Sequence, residues 1–80
     1  MSNIMVIVKW NKKHDKEYIE LFNKLDHSKF KSKGSIVYIK GSDPWHDYSM
    51  KIDDFVEFYN IFKNTCHDIS IFNSKVFYIN

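Results

Sequence analysis

The chain has no arginine, alanine or glutamine in 80 residues, and only one cysteine, one proline and two glycines. Each shortage excludes something. Without Arg there is no planar fork of donors for bidentate recognition of phosphate or guanine. A lone cysteine, Cys66, cannot form an internal disulfide, which predicts a reducing compartment. Two glycines, Gly34 and Gly41, cannot build a glycine-rich phosphate cradle, and neither a dinucleotide fingerprint nor a Gly-x-Ser-x-Gly elbow is present. The longest apolar run, residues 4–8, is far too short to span a bilayer. No charged stretch leads into an apolar one as in a signal peptide. The expected setting is the cytoplasm, with no membrane contact.

What the chain does have is Lys, Ile, Asn, Phe and Tyr in abundance. These residues have A/T-rich codons, so the gene is read as coming from an AT-rich genome: a low-GC bacterium, its phages or plasmids, or an AT-rich virus. In the viral case the expected compartment is the host cytoplasm. Eighty residues predict one domain spanning residues 1–80, which buries only about 60–65% of its unfolded surface. Aromatic residues make up 18% of the chain, so the core must rest on large rings, which bury much area per residue. The net charge of +2 hides an asymmetry: residues 1–40 carry nine Lys against four acids, and residues 41–80 three Lys against six acids. Solvated charge on two helix faces explains this better than a basic and an acidic surface.

Residues 4–10 are rich in β-branched side chains and apolar on both faces, which predicts an interior strand. Asn11 is a candidate cap, and Tyr18, Leu21, Phe22 and Leu25 recur at helical spacing, predicting a helix over about 14–26. Asp15 and Glu17 near its start and Lys24 near its end suit the helix dipole. Residues 35–40 read as a second strand, broken by the turn signals of residues 41–44. Residues 45–50 read either as a short edge strand or as an ordered loop. Asp53 is a candidate N-cap for a second helix ending near Thr65, with Phe55, Val56, Tyr59 and Phe62 as its stripe. Residues 69–72 and 76–79 flank Asn73, Ser74 and Lys75 and predict a C-terminal β-hairpin.

The fold class is therefore α+β: two helices on one face of a four- or five-stranded mixed sheet in the order β-α-β-(β)-α-β-β. The first βαβ unit is expected to be right-handed with parallel strands. If residues 45–50 form a strand, the core is a split βαβ like the ferredoxin fold. If they do not, the element order resembles a stripped thioredoxin-like domain, without the Cys-x-x-Cys that would carry redox activity.

Several constellations invite a chemical reading. Cys66, His67 and Asp68 have the residue types of a nucleophile, a base and an orienter, but adjacent residues do not point at one another. A helix-end cysteine packed as a small hydrophobe explains Cys66 better. His14, His27, His46 and His67 lack metal-ligand spacing, so no catalytic residue, metal or cofactor is expected. Lys24, Lys29, Lys31 and Lys33 surround Phe30 in a basic stretch with one ring, the raw material of a nucleic-acid contact. Residues 43–48 place Trp45, His46, Asp47 and Tyr48 after a turn, and Trp and Tyr are the usual anchors of protein interfaces. Phe77 and Tyr78, in a terminal strand at a sheet edge, offer a template for pairing, including a homodimer.

The expected function is a small non-catalytic protein-binding module, an accessory protein of a phage or mobile element. It would inhibit a host factor, as anti-CRISPR and other anti-defence proteins do, by occupying its surface. Its partner surface is expected at Trp45, His46, Asp47, Tyr48, Phe77 and Tyr78. The alternative is a small nucleic-acid-binding domain using Lys24, Lys29, Lys31 and Lys33.

Overall fold

Val6 and Val8 alternate along Asn3–Lys9 as a strand requires, both fully buried, and this segment is β1 of the computed structural model, which describes residues 3–72. Asn11 then accepts the Lys13 N–H at 3.0 Å and caps a single 3-10 turn, Lys12–His14. That turn runs into helix α1, Asp15–Lys24. The expected stripe faces inward, with Tyr18 its fully buried member, and the helix stops where Leu25 becomes extended. A two-residue strand β2, Lys31–Ser32, is followed by β3, Trp45–Lys51. A second 3-10 turn, Ile52–Asp54, leads into α2, Phe55–Phe62. The last described strand, β4, is Asp68–Phe72.

The sheet order is β2-β3-β1-β4, with every neighbouring pair antiparallel. This corrects the expectation of a mixed sheet. The first two strands in sequence do run parallel, each being antiparallel to β3, but they are not neighbours. Instead β3 inserts between β1 and β2, pairing Val6 with Tyr48 and Val8 with His46. The arrangement is the split βαβ of the ferredoxin-like kind. Residues 45–50 are thus neither an edge strand nor a loop, but part of a strand with partners on both sides.

Residues 35–40 are not a strand, although their composition suits one. Their place along β3 is taken by the chain just before them. Lys31 and Ser32 stand opposite Ser49 and Tyr48, and the Lys33 N–H donates to the Asp47 carbonyl at 2.8 Å. Gly34, at φ +106°, turns the chain outward, and it returns only for an isolated bridge between Val37 and Trp45. Asp53 is not an N-cap: it lies within the 3-10 turn, α2 begins at Phe55, and Asp54 before it makes no side-chain capping bond. The second helix also ends earlier than expected, with the Thr65 and Cys66 N–H groups closing onto the Phe62 carbonyl at 3.0 and 2.8 Å. The first arm of the expected C-terminal hairpin coincides with β4. Its second arm, residues 76–79, lies outside the described residues.

One cluster holds the fold together. Val6 and Val8 from β1 and Tyr48 and Met50 from β3 form the inner sheet face, and Tyr18, Phe58 and Phe62 cover it from the helices. Trp10 stacks on Tyr18 with ring centroids 3.6 Å apart and gives its indole N–H to the Asp15 carboxylate at 2.9 Å. Rings supply most of the buried volume, as a chain without alanine and with two leucines requires.

Candidate functional site

Strand alternation divides β3 between two faces. His46, Tyr48 and Met50 point into the core, while Trp45, Asp47 and Ser49 stand on the opposite, outer face. The register extends that face across the sheet. Lys31, Ser49, Met5 and Phe72 make one row, and Asp47, Ile7 and Ser70 the next. Val37, Trp45, Lys9 and Asp68 make the third. Both helices pack on the inner face, and among the described residues no element covers the outer one.

The third row opens into a cleft of about 560 Å3, walled by Ile7, Trp45 and Ile39 and rimmed by Lys9, Ser42, Asp43 and His67. Local backbone contacts position these groups. The Trp10 N–H donates to the Pro44 carbonyl at 3.2 Å, which fixes the start of β3, and the His67 N–H donates to the Lys9 carbonyl at 3.0 Å. His67 Nε2 and Asp43 Oδ2 lie 2.7 Å apart and tie the two loops of the rim together. Beside the cleft, Asp47 Oδ1 is buried and, among the described residues, has no hydrogen-bond donor. Burial lifts the Asp47 carboxyl above the usual aspartate range, against a smaller opposing pull from His46.

Behind the outer face lies a buried polar chain. His46 Nε2 is 3.0 Å from the Gly34 carbonyl and 2.7 Å from Ser32 Oγ, and Ser32 Oγ is 2.9 Å from the same carbonyl. A carbonyl only accepts, so Nε2 carries the ring proton and Nδ1 is an acceptor. The Tyr18 hydroxyl donates to Nδ1 at 2.7 Å and in turn accepts from the Tyr48 hydroxyl. Every polar atom of the chain then has a partner, which is what a buried network needs. Burial depresses the basicity of His46, partly offset by the Gly34 carbonyl and by Asp47, and holds the ring neutral. Burial likewise raises both tyrosines above their ordinary range.

The four residues singled out at positions 45–48 therefore separate. Trp45 and Asp47 present to the outer face, whereas His46 is 2% and Tyr48 0% exposed, so these two support the site from behind. Phe77 and Tyr78 lie outside the described residues. The basic stretch also divides. Lys31 stands on the outer face and Lys33 follows it opposite Asp47. Lys24 closes α1, and Lys29 pairs with Glu57 of α2 at 3.0 Å. The sequence reading missed Ile7, Lys9, Ile39 and His67 as neighbours of Trp45, while Asp43 lies within the segment it singled out. For β3 itself a signal was present: His46, Tyr48 and Met50 alternate with Trp45, Asp47 and Ser49.

Cys66, His67 and Asp68 diverge. Cys66 is buried, and desolvation pushes its thiol up to about 12, which keeps it protonated and a poor nucleophile. His67 pairs with Asp43, and Asp68 accepts from the Ser70 hydroxyl at 2.6 Å. His14 pairs with Glu17 at 3.0 Å, and His27 lies edge-on to Phe22. Among the described residues no three His, Cys, Asp or Glu side chains converge as metal ligands, and no helix is long and apolar enough to cross a membrane. Comparison with known proteins finds no matching family model, no matching curated protein and no matching solved structure.

Proposed function

We propose that the chain is a non-catalytic protein-binding module that engages its partner through the outer sheet face, with Trp45 as anchor. The observation that carries this reading is the cleft in which Trp45, Ile7 and Ile39 form an apolar floor inside a polar rim of Lys9, Asp43 and His67. An apolar centre ringed by polar groups is the anatomy of a protein interface, and a half-buried Trp at its centre is the commonest hot spot. Small size and an AT-rich codon signature support the finer reading, an accessory protein of a phage or mobile element that inhibits a host defence factor by covering its surface.

The alternative is a single-stranded nucleic acid lying across the same face. It is favoured by Lys9, Lys31 and Lys33 along the same face as Trp45, since such binders join a basic track to stacking rings. Against it, Asp43, Asp47 and Asp68 border the same surface, so the face carries no net positive field to release counterions from a polyanion.

Affinity capture from the native host with wild-type chain and Trp45→Ala side by side tests the reading. The expected result is one protein retained by the wild type and lost from the variant, with the melting temperature unchanged. Truncating an anchor of this type weakens binding by about 2–4 kcal/mol. Equal retention by the two chains contradicts it. Steeply salt-sensitive retention of an oligonucleotide moves the function to the alternative.

A further inference from the structure

The two glycines of the chain bracket one segment, residues 35–40, and both have left-handed backbones: Gly34 at φ +106° and Gly41 at φ +85°. Between them the side chains alternate as in a strand. Ile36 packs against the core, and Tyr38 reaches the helical layer. Val37 pairs with Trp45 on the outer side, and Ile39 walls the Trp45 cleft. Yet few bonds hold the segment. Val37 and Trp45 exchange N–H···O bonds of 2.9 and 3.2 Å, and the Ser42 N–H donates to the Ile39 carbonyl at 3.0 Å. The Tyr38 hydroxyl lies 3.0 and 3.1 Å from the two Asp15 carboxylate oxygens. Tyr38 and Ile39 are 52% and 54% exposed, so little apolar burial adds to these ties.

We propose that residues 35–40 form a strap over the Trp45 cleft, hinged at Gly34 and Gly41 and latched to α1 by the Tyr38–Asp15 contact, that opens as a unit while the sheet stays intact. Glycine at both hinges lets the backbone turn without a Cβ penalty. The Gly34 end is firmly seated, because its carbonyl receives both His46 Nε2 and Ser32 Oγ, so motion concentrates beyond that point. Opening breaks the Val37–Trp45 pair and moves Ile39 off the wall of the Trp45 cleft, widening it. Segments with few buried contacts and exposed backbone bonds are those that open below the global unfolding energy. The strap is a property of the chain alone and holds whatever the partner.

Residue-resolved amide hydrogen exchange on the full chain, in wild type and Tyr38→Phe, tests this. The substitution removes only the latch, since the Asp15 carboxylate keeps its bond from the Trp10 indole. In the wild type, the Val37 and Trp45 amides are expected to exchange faster than those of Val6 and Tyr48. In Tyr38→Phe, the first pair is expected to accelerate about tenfold, the effect of losing a bond to a charged acceptor, with the second pair unchanged. Unchanged exchange at Val37 and Trp45 overturns the latch. Equal acceleration at all four overturns the strap as a separate unit.

Discussion

At Tyr18 a single hydroxyl donates to His46 and accepts from Tyr48. The two tyrosines of this buried chain are therefore unequal. Tyr48→Phe removes one terminal donor and leaves the Tyr18–His46 bond in place, a loss of about 1 kcal/mol. Tyr18→Phe strands both His46 Nδ1 and the Tyr48 hydroxyl, and each orphaned buried group costs about 1–3 kcal/mol. Urea denaturation is expected to rank Tyr18→Phe well below Tyr48→Phe, and the reverse order would refute the assigned direction of donation. The same chain sets a pH response. Burial lowers the folded-state basicity of His46, so below the unfolded value of about 6.5 the unfolded chain binds more protons. Stability is then full above about pH 6.5 and declines as the pH falls through the depressed folded value. Asp47 acts oppositely: its carboxyl is raised by burial, so it favours the folded state as pH falls toward the unfolded aspartate value near 4. Thermal midpoints measured between pH 7.5 and 5 are expected to fall, and His46→Gln is expected to flatten that fall.

The strap is an element-scale feature, and its hinges make a prediction of their own. A Cβ added at Gly34 or Gly41 meets no atom within 4 Å. The cost of Gly→Ala there is therefore conformational, about 1–2 kcal/mol, and Gly→Asn is expected to cost less, because Asn tolerates the left-handed region better. Equal costs for Ala and Asn by chemical denaturation would contradict this. Most elements could be read from the sequence because their signals are strong: the β-branched apolar run of residues 4–8, the Tyr18–Leu25 stripe, and the stripe ending at Phe62. Residues 35–40 misled because strand propensity is a property of a segment, whereas a strand also needs a free partner edge, and residues 31–33 occupy most of that edge. Residues 45–50 were ambiguous because Trp45 and Tyr48 favour strands whereas Asp47 and the turn signals of residues 41–44 favour a loop. Once they are a strand, Trp45 and Tyr48 cannot share a face, and only Trp45 and Asp47 remain for a partner. Lys9 and His67 were out of reach of a sequence reading, since only the antiparallel register brings their distant segments beside Trp45.

At the scale of the whole molecule the two sides of the sheet differ. The inner side is filled by helices whose own outer surface exposes an apolar stripe at Ile52, Val56 and Tyr59, with Val56 67% exposed. The outer side carries the cleft and the mixed charges. The central claim is that binding uses the outer side, and the lysines report on it because exposed examples stand on both sides. Chemical acetylation of the chain, free and with its captured partner, followed by mass spectrometry of each lysine, compares Lys9, Lys31 and Lys33 with Lys16, Lys24 and Lys63 on or beside the helices. Protection of Lys9, Lys31 and Lys33 with the other three still reactive is the predicted result. Protection of Lys16, Lys24 and Lys63 instead would place the partner on the helical side and contradict the account.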